Sequence, residues 1–159
     1  MHGSDRRYHH EIIGGNFRMD GFQGALLNVK LPHLAGWTVR RQAIAARYLA
    51  GIRLSDTILP VQPDYAQSVF HQFTLRHPRR DALREHLARH EVGTDLIYPV
   101  PLHLQKAYAR PEYPVGTFPV AEHLAQNVVS LPIHTEMEAD EIQYIIHTVH
   151  QTLSQISFA

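Results

Sequence analysis

Thirteen histidines stand out in a chain of 159 residues, and two pairs have a spacing that could do chemistry. His86 and His90 are four apart and His147 and His150 three apart, so each pair shares one helix face and could offer two nitrogens to a metal. Neither pair has the glutamate of an HExxH arrangement or an evident third ligand, and solvent-exposed helix histidines are the ordinary reading. A serine hydrolase needs a strained nucleophile turn such as GxSxG, and the chain contains none; Ser4 follows Gly3 near the start, in no such setting. Gly14-Gly15-Asn16, with Arg18 just beyond, precedes a helix. Free N–H groups at a helix start, an asparagine amide and a guanidinium fork suit a phosphate or carboxylate. On the residues alone, an ordinary turn with an N-cap is the favoured explanation of this segment. Tyr98-Pro99-Val100-Pro101-Leu102-His103 is the third cluster. Its prolines restrict the backbone and would hold Tyr98 and His103 in fixed places.

The elements that must position these groups follow from periodicity. Asp20 is a candidate N-cap for a helix over residues 21–31. There Phe22, Ala25, Leu26, Leu27, Val29 and Leu31 surround most of the axis, which predicts burial on more than one side. Pro32 kinks or restarts the helix. A second run, to about Leu49, places Leu34, Trp37, Ile44, Ala45 and Tyr48 on one face, with Gly51 as C-cap. Residues 67–76 alternate and predict a strand. A helix over about 79–90 carries Leu83 and Leu87, and residues 92–98 predict a second strand. Residues 99–118 form a long proline-rich loop with a short helix at 103–108. A short helix over 119–127 and a strand over 128–133 follow. Thr135 and Glu138 resemble a capping box. Behind them Ile142, Ile145, Ile146, Val149 and Leu153 define an amphipathic helix. The order is that of an α+β fold, an α/β sandwich with a small mixed or antiparallel sheet and helices packed on it.

Bulk properties bound the function. Fifteen basic and fifteen acidic residues balance, which argues against a nucleic-acid binder. With no cysteine there is no disulfide, thiolate nucleophile or Cys-ligated zinc. The polar start is not a signal peptide, and no apolar run reaches the roughly 18 residues of a membrane span, so a cytoplasmic protein is the default. The length suits one domain with its own core.

Five stretches together resemble the DegT/DnrJ/EryC1/StrS aminotransferases, pyridoxal-phosphate (PLP) enzymes that make amino sugars from nucleotide-linked keto-sugars. They are HHEIIGGNFRMDGFQGALLNVKLPHL (9–34), Trp37 and Arg41 with Arg47-Tyr48, VFHQFTLRHPRRDALREHL (69–87), YPVPLHLQKAY (98–108) and GTFPVAEHLAQNVVSLPIH (116–134). They occur in family order over almost the whole chain. Gly21 and Gly24 stand where alanine or a larger residue is usual, at about 1 kcal/mol each in a helix. Ile97 replaces a position that is often aromatic or histidine, and Glu91 replaces a common glycine.

The resemblance implies that residues 1–159 form the small C-terminal domain, with the inter-domain helix, of a fold-type I aminotransferase. The domain carrying the Schiff-base lysine, the ring-nitrogen aspartate and the stacking aromatic would lie upstream. The only lysines here, Lys30 and Lys106, match neither the place nor the role of that lysine. The expectation is therefore a truncated domain, inactive by itself, with no PLP bound to this chain alone. Its rivals are a free-standing dimerisation or interaction module and one half of a split aminotransferase. The resemblance assigns no catalytic residue here. It implies that Asn16 reaches the cofactor phosphate in a neighbouring subunit with Arg18 nearby. Tyr98 and His103 would line the sugar-nucleotide side of the pocket, and His71 would lie on the first strand of the small domain beside it. The expected partner is a second copy or an aminotransferase N-terminal domain, with no nucleic acid, membrane or metal.

Overall fold

The computed structural model describes Ser4–Arg6, His9, His10, Ile12, Gly15 and residues 17–156. Gly14 and Asn16, and the side chain of Leu153, lie outside the described residues. The chain divides into two compact units, residues 1–36 and 37–159.

In the first unit, β1 (Ser4–Arg6) pairs antiparallel with β2 (His9–His10). Helix α1 (Gly21–Lys30) starts where predicted. Asp20 accepts from the Gln23 N–H at 2.8 Å, and the Gln23 side chain accepts from the Asp20 N–H at 3.2 Å, a reciprocal cap. A 3-10 turn over Leu31–His33 with Pro32 near its start leads into α2 (Leu34–Gly51). The all-round apolar character predicted burial for α1, yet the helix buries no residue within this chain.

The second unit is built on a two-stranded antiparallel ribbon. β3 (Phe73–Arg76) pairs with β4 (Val128–Leu131) in the register Phe73↔Leu131 to Arg76↔Val128. Period-two alternation puts Phe73, Leu75, Val129 and Leu131 into the core. Opposite them Thr74 and Ser130 share a hydroxyl–hydroxyl bond of 2.8 Å. Single bridges widen the ribbon by one residue on each side, Ile58 to Arg76 and Asp95 to Ser130. Ile44, Ala45 and Tyr48 of α2 join this core with Leu83 and Leu87 of α3 (Arg80–Arg89). Ile142, Ile145, Ile146 and Val149 of α5 (Ala139–Ile156) complete it. Tyr48 packs its ring on Phe73 with centroids 5.0 Å apart. Helix α4 (Pro119–Asn127) opens with proline in its first turn and runs directly into β4. The helices packed on a small antiparallel sheet are the α+β architecture the sequence predicts.

Several local expectations change for identifiable reasons. The first strand starts at Phe73 rather than Gln67, because side chains occupy the backbone groups a ladder would need. Arg41 donates to the carbonyls of Phe70 and His71, and Gln42 to that of Ser68. Phe70 itself is buried at φ 46°. Residues 92–98 are no strand beyond the Asp95 bridge; the Asp95 carboxylate turns back to accept from the Leu96 N–H at 2.7 Å. In place of a helix at 103–108 stands one 3-10 turn, Leu102–Leu104. Thr135 bonds Glu136 instead of capping; the Glu138 N–H is taken by Glu141, one turn into α5. Gly51 is the last residue of α2, and a Cβ there would lie 2.8 Å from Ile146 Cδ1, so it serves close helix packing rather than a left-handed cap.

Candidate functional site

The proline-rich loop and α4 form the most organised polar cluster near the predicted residues. Gly116 turns the chain at φ 93°, a conformation glycine adopts without steric cost, and Pro119 then starts α4. Glu122 sits in the first turn of that helix, where the partial positive charge of the free N–H groups favours a carboxylate. Its two oxygens accept from the Gly116 N–H at 2.9 Å each, and Oε1 also accepts from the Phe118 N–H at 3.2 Å. Nε2 of His103 lies 3.0 Å from the same Oε1. The Gly116 N–H, then the Phe118 N–H and His103, hold the Glu122 carboxyl below its ordinary value against the opposing effect of desolvation. The His103 ring is closed off by an edge contact with Phe118, centroids 4.9 Å apart, and is only 8% exposed.

The structure does not gather the predicted site residues into one pocket. Tyr98 is exposed and lines a cleft of about 480 Å³, mostly apolar, between residues 97–105 and the Ala121–Leu124 face of α4. His71 sits in the bend before β3, not on the strand, and lines a cleft of about 580 Å³ with Gln72, Asp95 and Ser130. Ile97 borders both clefts. His103 faces Glu122. Arg18 is exposed, and Asn16 is outside the described residues. A further cleft of about 650 Å³, lined by His90, His134, Glu91 and Tyr144 among others, contains none of the predicted residues.

The histidine pairs resolve into local structure. His86 is buried rather than solvent-exposed, its ring 4.3 Å from that of His90, whose Nδ1 lies 2.9 Å from the His86 carbonyl oxygen. His150 accepts from the Arg53 N–H, and His147 pairs with Gln151. Among the described residues no group of three or more His, Asp or Glu is placed to hold a metal ion. His77, buried between the end of β3 and the start of α3, accepts from the Arg79 N–H through Nδ1, and burial lowers its pKa from the ordinary value.

Sequence reasoning passed over Glu122 and the role of the α2 arginines. Arg41 donates to the Ile133 carbonyl at 2.8 Å as well as to Phe70 and His71. Arg47 donates to the Ala139 carbonyl at 2.9 Å, and the Tyr48 hydroxyl to the Pro132 carbonyl at 2.8 Å. Burial raises the Tyr48 pKa and keeps that hydroxyl a donor. Arg41, Arg47 and Tyr48 thus act as straps from α2 to the segments flanking the sheet. The available signal for Glu122 was an acidic residue just inside a helix that follows a glycine turn and a proline.

Comparison with known proteins places these features in context. The profile of the DegT/DnrJ/EryC1/StrS aminotransferase family matches residues 1–150. The chain is 41% identical to a dTDP-3-amino-3,4,6-trideoxy-alpha-D-glucose transaminase of Streptomyces venezuelae over 159 residues, 99% of this chain and 42% of the relative. It is 39% identical to a pleiotropic regulatory protein of Geobacillus stearothermophilus, over 94% of this chain and 41% of the relative. Among solved structures, that of S. venezuelae DesV in complex with ketimine intermediate superposes with a TM-score of 0.84 at 42% identity, over 94% of this chain and 41% of that one. A DegT DnrJ EryC1 StrS aminotransferase from Brucella abortus gives 0.81 at 30% identity, over 94% of this chain and 40% of its own. The chain therefore spans about two-fifths of the length of these relatives, and over that span it belongs to the DegT/DnrJ/EryC1/StrS aminotransferase family.

Proposed function

We propose that this chain supplies the C-terminal domain, with its inter-domain helices, of a PLP-dependent aminotransferase acting on nucleotide-linked keto-sugars, and that it does not transaminate by itself. The observation that carries the reading is the placement of its two lysines. Lys30 ends α1 and Lys106 lies in the 99–118 loop; both are exposed and neither lines a described cleft. The described residues thus do not fit a covalently held PLP, whose chemistry needs an enclosed amine to form the Schiff base. In this reading Asn16 and Arg18 face a phosphate, while Tyr98, His103 and His71 border the sugar-nucleotide. The compartment is cytoplasmic; among the described residues no helix is long and apolar enough to cross a membrane. Treating the chain with PLP and borohydride should give no stoichiometric adduct at Lys30 or Lys106. Full labelling of Lys30, together with turnover of a keto-sugar, would overturn the reading.

The apolar surface of residues 17–34 favours a docking role in the same assembly. Phe17, Phe22 and Val29 are 95%, 75% and 70% exposed, and Leu26, Leu27, Leu31 and Leu34 are more than half exposed. Contiguous apolar surface of this kind is normally covered. A second copy or a separate lysine-bearing N-terminal chain would cover it. Light scattering over a dilution series should show association, and co-expression with an N-terminal aminotransferase domain should restore activity. A strict monomer that no such domain activates would exclude this role.

A further inference from the structure

We infer that Glu122 is the positioning residue of the loop over residues 98–118, fixing His103 with its proton on Nε2 and its lone pair on Nδ1 and joining that ring to the far end of the loop at Gly116 and Phe118. The inference deepens the proposed function, in which His103 borders the sugar-nucleotide. Its geometry stands independently.

A carboxylate only accepts, so the 3.0 Å contact between Glu122 Oε1 and His103 Nε2 requires the proton on Nε2. In the neutral imidazole the other nitrogen then carries a lone pair. This is the logic by which a carboxylate selects the tautomer of a working histidine. The same carboxylate holds the far end of the loop through the N–H groups of Gly116 and Phe118. Twelve residues separate His103 from Gly116 in sequence, yet one side chain on α4 joins them. Phe118 rests its edge against the His103 ring, and Tyr113 contacts Phe118 at 5.7 Å between centroids. Apart from the turn bonds of Leu104, Gln105, Tyr108, Tyr113 and Thr117 and the contact of the Gln105 side chain with the Val100 carbonyl, no hydrogen bond is described for residues 104–115. Losing the carboxylate would therefore free both the ring and the loop.

The test uses the 159-residue chain. Long-range proton–nitrogen correlation spectra of the wild type should show His103 protonated at Nε2 and bare at Nδ1. Glu122→Gln should mix the two tautomers, since a single amide oxygen must then serve three donors. Trypsin cleavage at Lys106, exposed within the loop, should rise on the order of tenfold in Glu122→Gln, as a charge-assisted hydrogen bond is lost. Glu122→Asp, which keeps the charge on a shorter arm, should retain the tautomer while cleavage rises less. It separates orientation of the ring from support of the loop. A wild-type ring protonated at Nδ1, or a tautomer unchanged in Glu122→Gln, would overturn the inference. Adding dTDP-glucose as probe should shift the Tyr98 and His103 signals in the wild type and less in Glu122→Gln. If the tautomer result holds and dTDP-glucose shifts neither residue, the positioning role stands and the sugar-nucleotide reading fails.

Discussion

The junction of α2 with the sheet and the loop over residues 98–118 are held by opposite means. At the junction, Ile44, Ala45 and Tyr48 are buried against Phe73, and Arg41, Arg47 and Tyr48 add hydrogen bonds to five carbonyls along two separate segments. Any one of these contacts has neighbours that do the same work. In the loop, Tyr98, Leu102, Tyr108 and Val115 are exposed, and the hydrogen bonds that tie the far end back run to Glu122, beside one ring contact of Phe118 with His103. The difference teaches where stability and adaptability are divided. A cooperative core opens only with global unfolding, whereas a segment with one anchor opens locally.

Phe73→Ala should show this division most strongly. Phe73 is fully buried between Tyr48 and Phe70, so its truncation should cost about 3–5 kcal/mol in global stability, read from the shift in urea midpoint at unchanged slope. Under native conditions trypsin cleavage at Lys106 should hardly change, because that site reports the loop. A parallel rise in cleavage would show that loop and core open together and would erase the contrast.

Gly51→Ala should give the next largest effect. The added Cβ would meet Ile146 Cδ1 at 2.8 Å and Cγ2 at 3.1 Å, within the packed α2–α5 contact. Overpacking of this kind costs about 1–3 kcal/mol. Ile146→Val in the same chain should recover part of it, a coupling readable by a double-mutant cycle. If Gly51→Ala proves neutral, the junction is looser than its buried contacts imply.

A smaller change of opposite sign is expected at the end of α3. The Val92 N–H donates to the Leu87 carbonyl and the Glu91 N–H to that of Ala88, with Val92 and Leu87 both buried, which is a Schellman cap. The residue at its left-handed position is Glu91 at φ 60°. Glu91→Gly should therefore stabilise the chain by about 0.5–1 kcal/mol, relieved strain being offset by the freedom of glycine in the unfolded state. A loss in thermal midpoint would mean that the Glu91 side chain, which borders the cleft with Tyr144, contributes more than its backbone costs.

Glu91 also shows what the sequence made legible. The departure from glycine there was visible in the chain, and the structure supplies its conformational reason. Helices α1 to α5 were largely readable because three- and four-residue spacing, Asp20 and the prolines mark them. The strand ends were not. What stops β3 at Phe73 is a guanidinium arriving from Arg41, 30 residues distant from His71 in the chain. From sequence His86 reads as a surface residue, because its own helix carries no sign of what packs over it, yet it is buried. In the candidate site, the rigid Tyr98–His103 segment was recognised, but its partner Glu122 lies 19 residues beyond His103 and pairs with it only after the loop closes. Local pattern reports elements, and side chains that reach across sequence decide their limits.

The smallest effect is the dependence on pH, and it separates the two regions by window. His77 belongs to the core, and its pKa is lowered from 6.5 by burial, so the unfolded chain binds the extra proton first. Its contribution is complete above pH 6.5 and declines as the pH falls toward the folded value, where Nδ1 must give up the Arg79 N–H to be protonated there. Glu122 belongs to the loop, and its pKa is lowered from 4.5, first by the Gly116 N–H. Its contribution is complete above pH 4.5 and is lost only as the pH falls through its folded value. Acidification should therefore weaken the core first and the loop anchor later. Urea midpoints between pH 7 and 5 should fall less in His77→Gln than in the wild type, and Lys106 cleavage by an acid-tolerant protease cutting after lysine should stay level until the pH passes below 4.5. Loop opening that begins near pH 6, well above the range in which Glu122 takes up its proton, would show that its carboxylate is not what holds the far end of the loop.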